Sequence, residues 1–351
     1  MNRLGNISSL SLSSDWTWQV DFCCASDGLL EDNQTHTDKF VASGGQILHD
    51  ERMATSEELL RDILVQAYAD AENVHLFNGP SVCLSHIDSQ NKLLTLEQGQ
   101  FYDFLFSNIL GSMNDDSAEN ILQRIPAEIR DEARDYLCQA QTQSAAVRNQ
   151  FATKQEQQDH MCEQLTSAKR TYKNDSDESL CMIINSQKLS NAVAVSVLLR
   201  DENENYLLTQ RTCSVAIGKN LWGVSASGSL EPDDIVARTG ILNCKDPFCT
   251  CAAREVEEEL GLSVLVNRLA TTMLIIGDEK LQPIALVEGK ISGRFDLDGI
   301  KNHLRETLQA QDQKAEVRSI HCVNKQQLAK LAIKHQFSQA AHLQIQHALH
   351  Q

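Results

Sequence analysis

Positive charge is the scarcest resource of this chain. Its 351 residues carry 31 Lys and Arg against 48 Asp and Glu, a net charge of -17. A deficit of that size excludes a main role on nucleic-acid backbones or anionic membranes, both of which demand a basic surface. No apolar run approaches the ~20 residues that span a bilayer. The eleven cysteines are an odd, scattered set without a disulfide framework, and no signal peptide is evident, so a reducing cytoplasm is the expected compartment. Cys244, Cys249 and Cys251 lie close together, but no second ligand pair stands at a zinc-site spacing. Aromatics make up only 5% of the residues, yet four of them fall within Phe101 to Phe106, a cluster better explained by a packed core than by a base-stacking surface. No internal repeat is visible.

The organisation follows from composition. Residues 1–54 are rich in Ser, Asp and Gly and read as irregular segments or short strands. Thr55-Ser56-Glu57-Glu58 has the pattern of a capping box, and Leu59, Leu60, Ile63, Leu64 and Ala67 supply the stripe of the helix that follows. Asn78-Gly79-Pro80 is a turn between strand-like runs at Val74 to Phe77 and Ser81 to Ser85. From Pro126 to Lys173 there is no Gly and no further Pro, and Ala, Gln, Glu and Arg dominate. That stretch favours one long helix or a helical hairpin, either packed on the N-terminal region or mediating self-association. The polar run Asn174 to Ser179 is the candidate boundary, dividing a region at 1–178 from a domain at 179–351 that is expected to fold alone. Strands are expected at Ala192 to Leu199, Tyr206 to Arg211, Ala270 to Ile276, Pro283 to Val287 and Val317 to Val323, with a helix over Lys325 to Lys334.

The chemistry is concentrated in Arg254-Glu255-Val256-Glu257-Glu258-Glu259-Leu260-Gly261-Leu262. Asp246-Pro247 reads as an N-cap followed by the first helical residue, and Gly261 as the left-handed residue that ends the helix. At about 100° per residue, Glu255, Glu258 and Glu259 share an arc of roughly 100°, while Ala252, Ala253, Val256 and Leu260 face the core. Glu257 points elsewhere. Most Glu runs are solvated helix faces. Three carboxylates on one face repel, however, unless a cation bridges them, and Arg254 at i−4 to Glu258 neutralises only part of that charge.

This nine-residue stretch resembles the heart of the Nudix box, Arg-Glu-apolar-any-Glu-Glu-any-Gly-apolar, with every specified position filled. The resemblance covers the C-terminal half only. It implies an α/β fold, a Nudix-type mixed-sheet α/β/α sandwich, here preceded by a mainly helical α+β N-terminal region. It implies a metal-dependent hydrolase that cleaves a pyrophosphate linkage in a small nucleoside diphosphate derivative or related compound, with Mg2+ or Mn2+ as cofactor. By the same resemblance Glu258 and Glu259 bind metal, Glu255 binds metal or acts as general base, and Arg254 orients the cluster. Glu316 is the candidate additional ligand from a later loop, an ordinary surface Glu being an equal alternative. Arg211, Trp222 and Gly228 are candidates to bind substrate.

The full family pattern also places a Gly and a Glu before the Arg-Glu core, and two registers offer them. Gly240 with Asp246 has the regular spacing. Gly228 with Asp234 has the better strand-like approach, Trp222 to Gly228, and makes residues 235–245 an insertion; this register is preferred, with Asp246 left as helix cap. Two other functions fit the same residues: a nucleotide-metabolite sensor without turnover, and an isomerase similar to the isopentenyl diphosphate isomerases, although their Cys-containing Asn-His-Pro segment is not found here. The acidic cluster favours the hydrolase, because a sensor has no need of it.

Overall fold

The structure, a computed structural model, describes residues 7–12, 16–20, 40–42, 56–74, 76, 78–164, 175–186, 188–212, 220–235, 246–277, 280–310 and 317–350. Three short strands come first, β1 (Ile7–Ser11), β2 (Thr17–Val20) and β3 (Phe40–Ala42), then helix α1 (Ser56–Glu72). Strands β4 (Pro80–Asp88) and β5 (Leu93–Gln100) form a hairpin that leads into helix α2 (Phe101–Phe104), a π-helical turn at Leu105–Ile109 and a 3-10 turn at Leu110–Ser112. Helices α3 (Asp115–Leu122), α4 (Arg130–Gln164) and α5 (Asp175–Asn185) follow. The remainder runs β6 (Ala194–Arg200), β7 (Tyr206–Arg211), β8 (Trp222–Gly223), β9 (Ala226–Ser229), α6 (Pro232–Ile235), α7 (Pro247–Leu260), β10 (Leu269–Gly277), β11 (Pro283–Lys290), α8 (Leu297–Ala310), β12 (Val317–Val323), α9 (Lys325–Lys334) and α10 (Gln339–His350).

A mixed sheet of eight strands, ordered β1-β10-β11-β6-β7-β12, forms the centre, with β8 paired to β7 and β9 to β6. Its middle strand β6 reads Ala-Val-Ser-Val-Leu-Leu-Arg and is buried on both faces, as a β-branched, apolar run in a covered sheet must be. Val195, Val197 and Leu199 pack toward Phe248, Ala252, Val256 and Leu260 of α7. Leu198 faces the other way, into a cluster with Leu328 of α9 and Ala341 and Ile345 of α10. Helices therefore cover both faces, giving the mixed α/β sandwich. The turn from β6 to β7 is built by Asp201, whose Oδ1 accepts from the backbone of Asn203 and Asn205, each at 2.9 Å.

Several local expectations change. Val74 is not in a strand: α1 runs to Glu72, and with Asn73 at φ 52° the Val74 N–H turns back onto the Ala69 carbonyl at 3.0 Å. The long Gln-rich stretch is one helix, α4, whose buried Ala133, Leu137, Ala140 and Val147 fall at helical spacing. Tyr136 of α4 stacks on Phe106 with ring centroids 4.6 Å apart, so the aromatic cluster is core. The polar run at 174–179 is not a loop throughout, because α5 begins at Asp175. Leu180, Ile183 and Ile184 bury the following turn. Helices α8 and α10 were not foreseen.

The division near residue 178 is not a break in packing either. Strand β1, from the far N-terminus, lies antiparallel on β10, from Ile7 opposite Gly277 to Ser11 opposite Met273. One hydrophobic cluster joins Leu10, Trp16, Val82, Leu84, Ile87, Leu94, Leu96 and Val147 to the α7 core. The buried Asn108 Nδ2, in the π-helical turn, donates to the carbonyls of Lys280 and Leu281 at 3.1 Å each, tying the N-terminal helices to the β10–β11 connection. Among the described residues no helix is long and apolar enough to cross a membrane.

A fragment of residues 179–351 would expose the partners of those eight side chains. At about 1.5–3 kcal/mol per buried large apolar side chain, the loss reaches on the order of 10 kcal/mol or more, comparable with the whole stability of a domain. The fragment, expected to fold alone on sequence grounds, should therefore show no cooperative thermal melt, whereas the full chain should. A sharp melt of the isolated fragment by circular dichroism would show that the shared cluster is dispensable.

Candidate functional site

Helix α7 forms as its sequence requires. Asp246 accepts from the Phe248 N–H at 3.0 Å, Pro247 begins the helix, and Gly261 ends it at φ 65°. A Cβ at Gly261 would also lie within 2.7 Å of the His303 ring. That His, on α8, places Nε2 2.9 Å from the Glu258 carbonyl, where an N–H donor satisfies one of the free carbonyls at the helix end. Cys249, Cys251, Ala252, Val256 and Leu260 are buried beneath the sheet, which fixes the acidic face outward at the rim.

Arg254 is the centre of that rim. Its Nε and Nη2 grip the two oxygens of Asp234 at 2.9 and 2.8 Å, and Nη2 also donates to the Ser229 carbonyl at 2.9 Å. Its Nη1 donates to Glu255 Oε1 at 2.8 Å and Glu258 Oε2 at 3.3 Å, with Glu231 Oε1 3.9 Å away. Burial works against the guanidinium charge, but hydrogen bonding to Asp234 and the negative groups around it outweigh burial, and its pKa stands above the ordinary value. The forked geometry explains why Arg rather than Lys occupies the position. Asp234 is only 2% exposed, so this is a buried pair.

The strand side completes the arrangement. Gly228 of β9 faces Glu255 so closely that a Cβ there would stand 1.9 Å from the carboxylate. The next-door Ser227 N–H points to Glu259 Oε1 at 3.4 Å, and Ser227 Oγ accepts from Arg211 Nη1 at 3.1 Å. Glu255, Glu258, Glu259, Arg254, Gly228 and Arg211 thus gather at one rim, where β7 and β9 meet α7. Glu257 is exposed and away from these contacts. Trp222 is not brought there: it lies on the α9 face, its ring 4.5 Å from His321, 4.7 Å from His335 and 6.0 Å from Phe337. Glu316 and Gly240 lie outside the described residues, as does most of the expected insertion at 235–245. In the preferred register Gly228 faces Glu255 and Asp234 grips Arg254, and Asp246 serves as the helix cap.

Sequence reasoning missed Glu231. Its carboxyl is pushed above the ordinary value by partial burial, against the pull of Arg254, with Asp234, Glu258 and Asp233 adding to the rise. The signal was available, since Glu231 stands three residues from Asp234, but nothing in the spacing showed which way it turns. Among the described residues the buried thiols Cys249 and Cys251 belong to no cluster of three potential metal ligands. Cys249 is pushed up to about 12 by burial and the nearby Asp246, and Cys251 lies under Arg254 with its Sγ 3.4 Å from the Ser229 carbonyl; Cys244 is outside the described residues.

The donor set fits a hard divalent cation. Glu255, Glu258 and Glu259 offer only carboxylate oxygens, the ligands magnesium and manganese prefer. One Arg254 nitrogen already draws oxygens of two of them together. Glu258 keeps a side chain 60% exposed, able to turn toward a ligand. Among the described residues no three His, Cys, Asp or Glu side chains already converge as a finished metal cluster.

An acidic helix clamped by one arginine beneath a mixed sheet defines the class, an α/β protein with a carboxylate site at the sheet rim. The family follows from comparison with known proteins. The sequence model of the NUDIX domain matches residues 190–338, so this part of the chain resembles a Nudix domain. A search of curated proteins finds no match. Solved structures similar to the chain include a MutT protein from Methanosarcina mazei Go1, at 15% identity over 45% of this chain and 91% of that one, TM-score 0.30. A NUDIX hydrolase from Alicyclobacillus acidocaldarius shares 11% identity over 46% and 91%, TM-score 0.29. A bifunctional NMN adenylyltransferase/ADP ribose pyrophosphatase from Francisella tularensis, complexed with AMP and a Mn ion, shares 14% over 46% and 41%, TM-score 0.27.

Two substitutions probe the rim. Gly228→Ala should displace Glu255, the flexible partner, while the fold holds: the melting temperature should move by only a few degrees and Mn2+ affinity, read by calorimetry, should fall at least tenfold. Asp234→Asn removes the buried charge opposite Arg254 and should cost about 3 kcal/mol in denaturant unfolding, as for other broken buried pairs. A loss below 1 kcal/mol would mean that Arg254 is held by its other partners.

Proposed function

We propose that the Nudix domain is an active metal-dependent hydrolase that cleaves a pyrophosphate linkage in a small nucleoside diphosphate derivative or related compound. The observation that supports this most directly is the shared hold of Arg254 Nη1 on Glu255 and Glu258, beside a Gly228 that leaves the Glu255 carboxylate room. Such a cluster costs stability through repulsion, and a bound cation would offset that cost.

In this reading Glu255, Glu258 and Glu259 hold Mg2+ or Mn2+, with Glu316 as a further ligand. The cation supplies Lewis acidity and charge neutralisation for the phosphate oxygens, which a chain of net charge -17 otherwise repels. The protein's own groups do the rest. Glu255, buried at the sheet rim and oriented by Arg254, is the group placed to take a proton from the attacking water. Arg254 keeps that carboxylate in one rotamer and offsets part of the acidic charge. Arg211, which donates to Ser227 at the same rim, is a cation placed to meet a phosphate of the substrate, and Gly228 leaves space for its approach. The protein would work in the cytoplasm on a soluble small molecule.

A panel of pyrophosphate compounds assayed with magnesium and manganese for phosphate-containing products tests the reading. With a substrate in hand, Glu259→Gln should lower turnover about a hundredfold or more, on the order of 3 kcal/mol of transition-state stabilisation, with little change in melting temperature. Glu257→Gln, in the same run but exposed and outside the rim, should be nearly silent. Equal losses in the two variants across a magnesium titration would replace a defined cluster with general acidity. Tight nucleotide binding without turnover would make the domain a sensor.

A further inference from the structure

The N-terminal region reaches the site through one strand. The Val82 N–H of β4 donates to the Leu230 carbonyl at 2.9 Å, the Leu230 N–H to the Val193 carbonyl at 2.9 Å, and the Val193 N–H back to the Val82 carbonyl at 2.9 Å. All three side chains are fully buried. Leu84 N–H adds a bond to the Asn191 carbonyl at 3.0 Å, so β4 runs along the entry to β6 and the exit of β9.

What begins at Leu230 is the turn that holds Arg254. Glu231 N–H donates to Asp234 Oδ2 at 2.9 Å, Asp234 N–H returns a bond to the Glu231 carbonyl at 3.0 Å, and both oxygens of Asp234 then grip Arg254. From Val82 to Glu255 and Glu258 the connection runs through hydrogen bonds of 2.8 to 3.3 Å and the Leu230–Glu231 peptide. We propose that β4 of the N-terminal region is a positioning element of the carboxylate site, with the Val82 backbone holding the Leu230–Asp234 turn at the height where Asp234 meets Arg254. The proposal rests on the reading of that rim as the functional site. It gives the N-terminal region a part in the site without asking it to touch a ligand.

Both main-chain groups of Val82 are turned to Leu230 and Val193 rather than to β5, so Val82→Pro deletes the donor without removing a β4–β5 bond. Leu137→Ala, in buried α4 packing far along the chain, is the control for general loosening of the N-terminal region. Both are made in the full chain and read by hydrogen exchange and by calorimetric titration with Mn2+. V82P should speed exchange of the Glu231 and Asp234 amides at least tenfold and weaken Mn2+ binding at least fivefold; L137A should change neither by more than twofold. Unchanged exchange at Glu231 and Asp234 in V82P, or equal changes in L137A, overturns the proposal. If V82P shows no cooperative melt, the α-hydroxy acid analogue of valine at position 82, which deletes the N–H without a proline ring, is held to the same two criteria. Wild-type protein that binds no Mn2+ would count against the proposed hydrolase, while the exchange measurements would still decide the role of β4.

Discussion

The buried pair of Arg254 and Asp234 is the interaction on which the site depends. An acidic helix face of this density is unstable by itself, and a guanidinium half-sunk beneath a sheet is expensive to leave unpaired. Each resolves the other. Asp234 fixes the plane of the guanidinium with two bonds, which leaves its third nitrogen turned outward to Glu255 and Glu258. The position of the carboxylates is therefore set from two directions, by the helix that carries them and by a turn that comes from the end of β9.

That dependence explains the packing around it. Helix α7 is fastened by a capped start, a left-handed Gly261 and a buried stripe, so its acidic face has little freedom to rotate. The turn bearing Asp234 is short and contains Pro232, but its register rests on Leu230, which lies between Val193 and Val82. Strand β4 and strand β1 thus belong to the same core as the Nudix domain, although they come from outside the residues that match the family. Pairing of β1 with β10 also covers an edge that would otherwise present free backbone groups.

For function, the arrangement combines an oxygen-only donor set, a carboxylate kept close to a glycine, and an arginine at the rim in a strongly acidic protein. Charge alone would turn a pyrophosphate away. In the proposed reading a divalent cation and Arg211 supply the local positive charge, which ties the hydrolase reading to the proposed metal.

The local features of this site were legible in the sequence because they are written in short-range physics. Asp246-Pro247 and Gly261 bounded α7, the 100° step placed Glu255, Glu258 and Glu259 on one arc and excluded Glu257, and Ala192 to Leu199 read as a strand. A helix over Lys325 to Lys334 was expected as well, and the structure starts it with a capping box of Asn324 and Gln327. What only the tertiary structure decided were pairings between distant segments. The contacts of Gly228 with Glu255 and of Asp234 with Arg254 cross twenty or more residues, and the spacing of a pattern cannot reveal which carboxylate turns toward an arginine. Trp222 looked like a site residue because it precedes the glycine, but strand alternation sent its ring to the other face. The placement of β1 beside β10 had no signal at all. Five residues of ordinary strand propensity acquire a partner some 260 positions away because that edge is open and apolar, a condition that exists only once the rest of the sheet has formed.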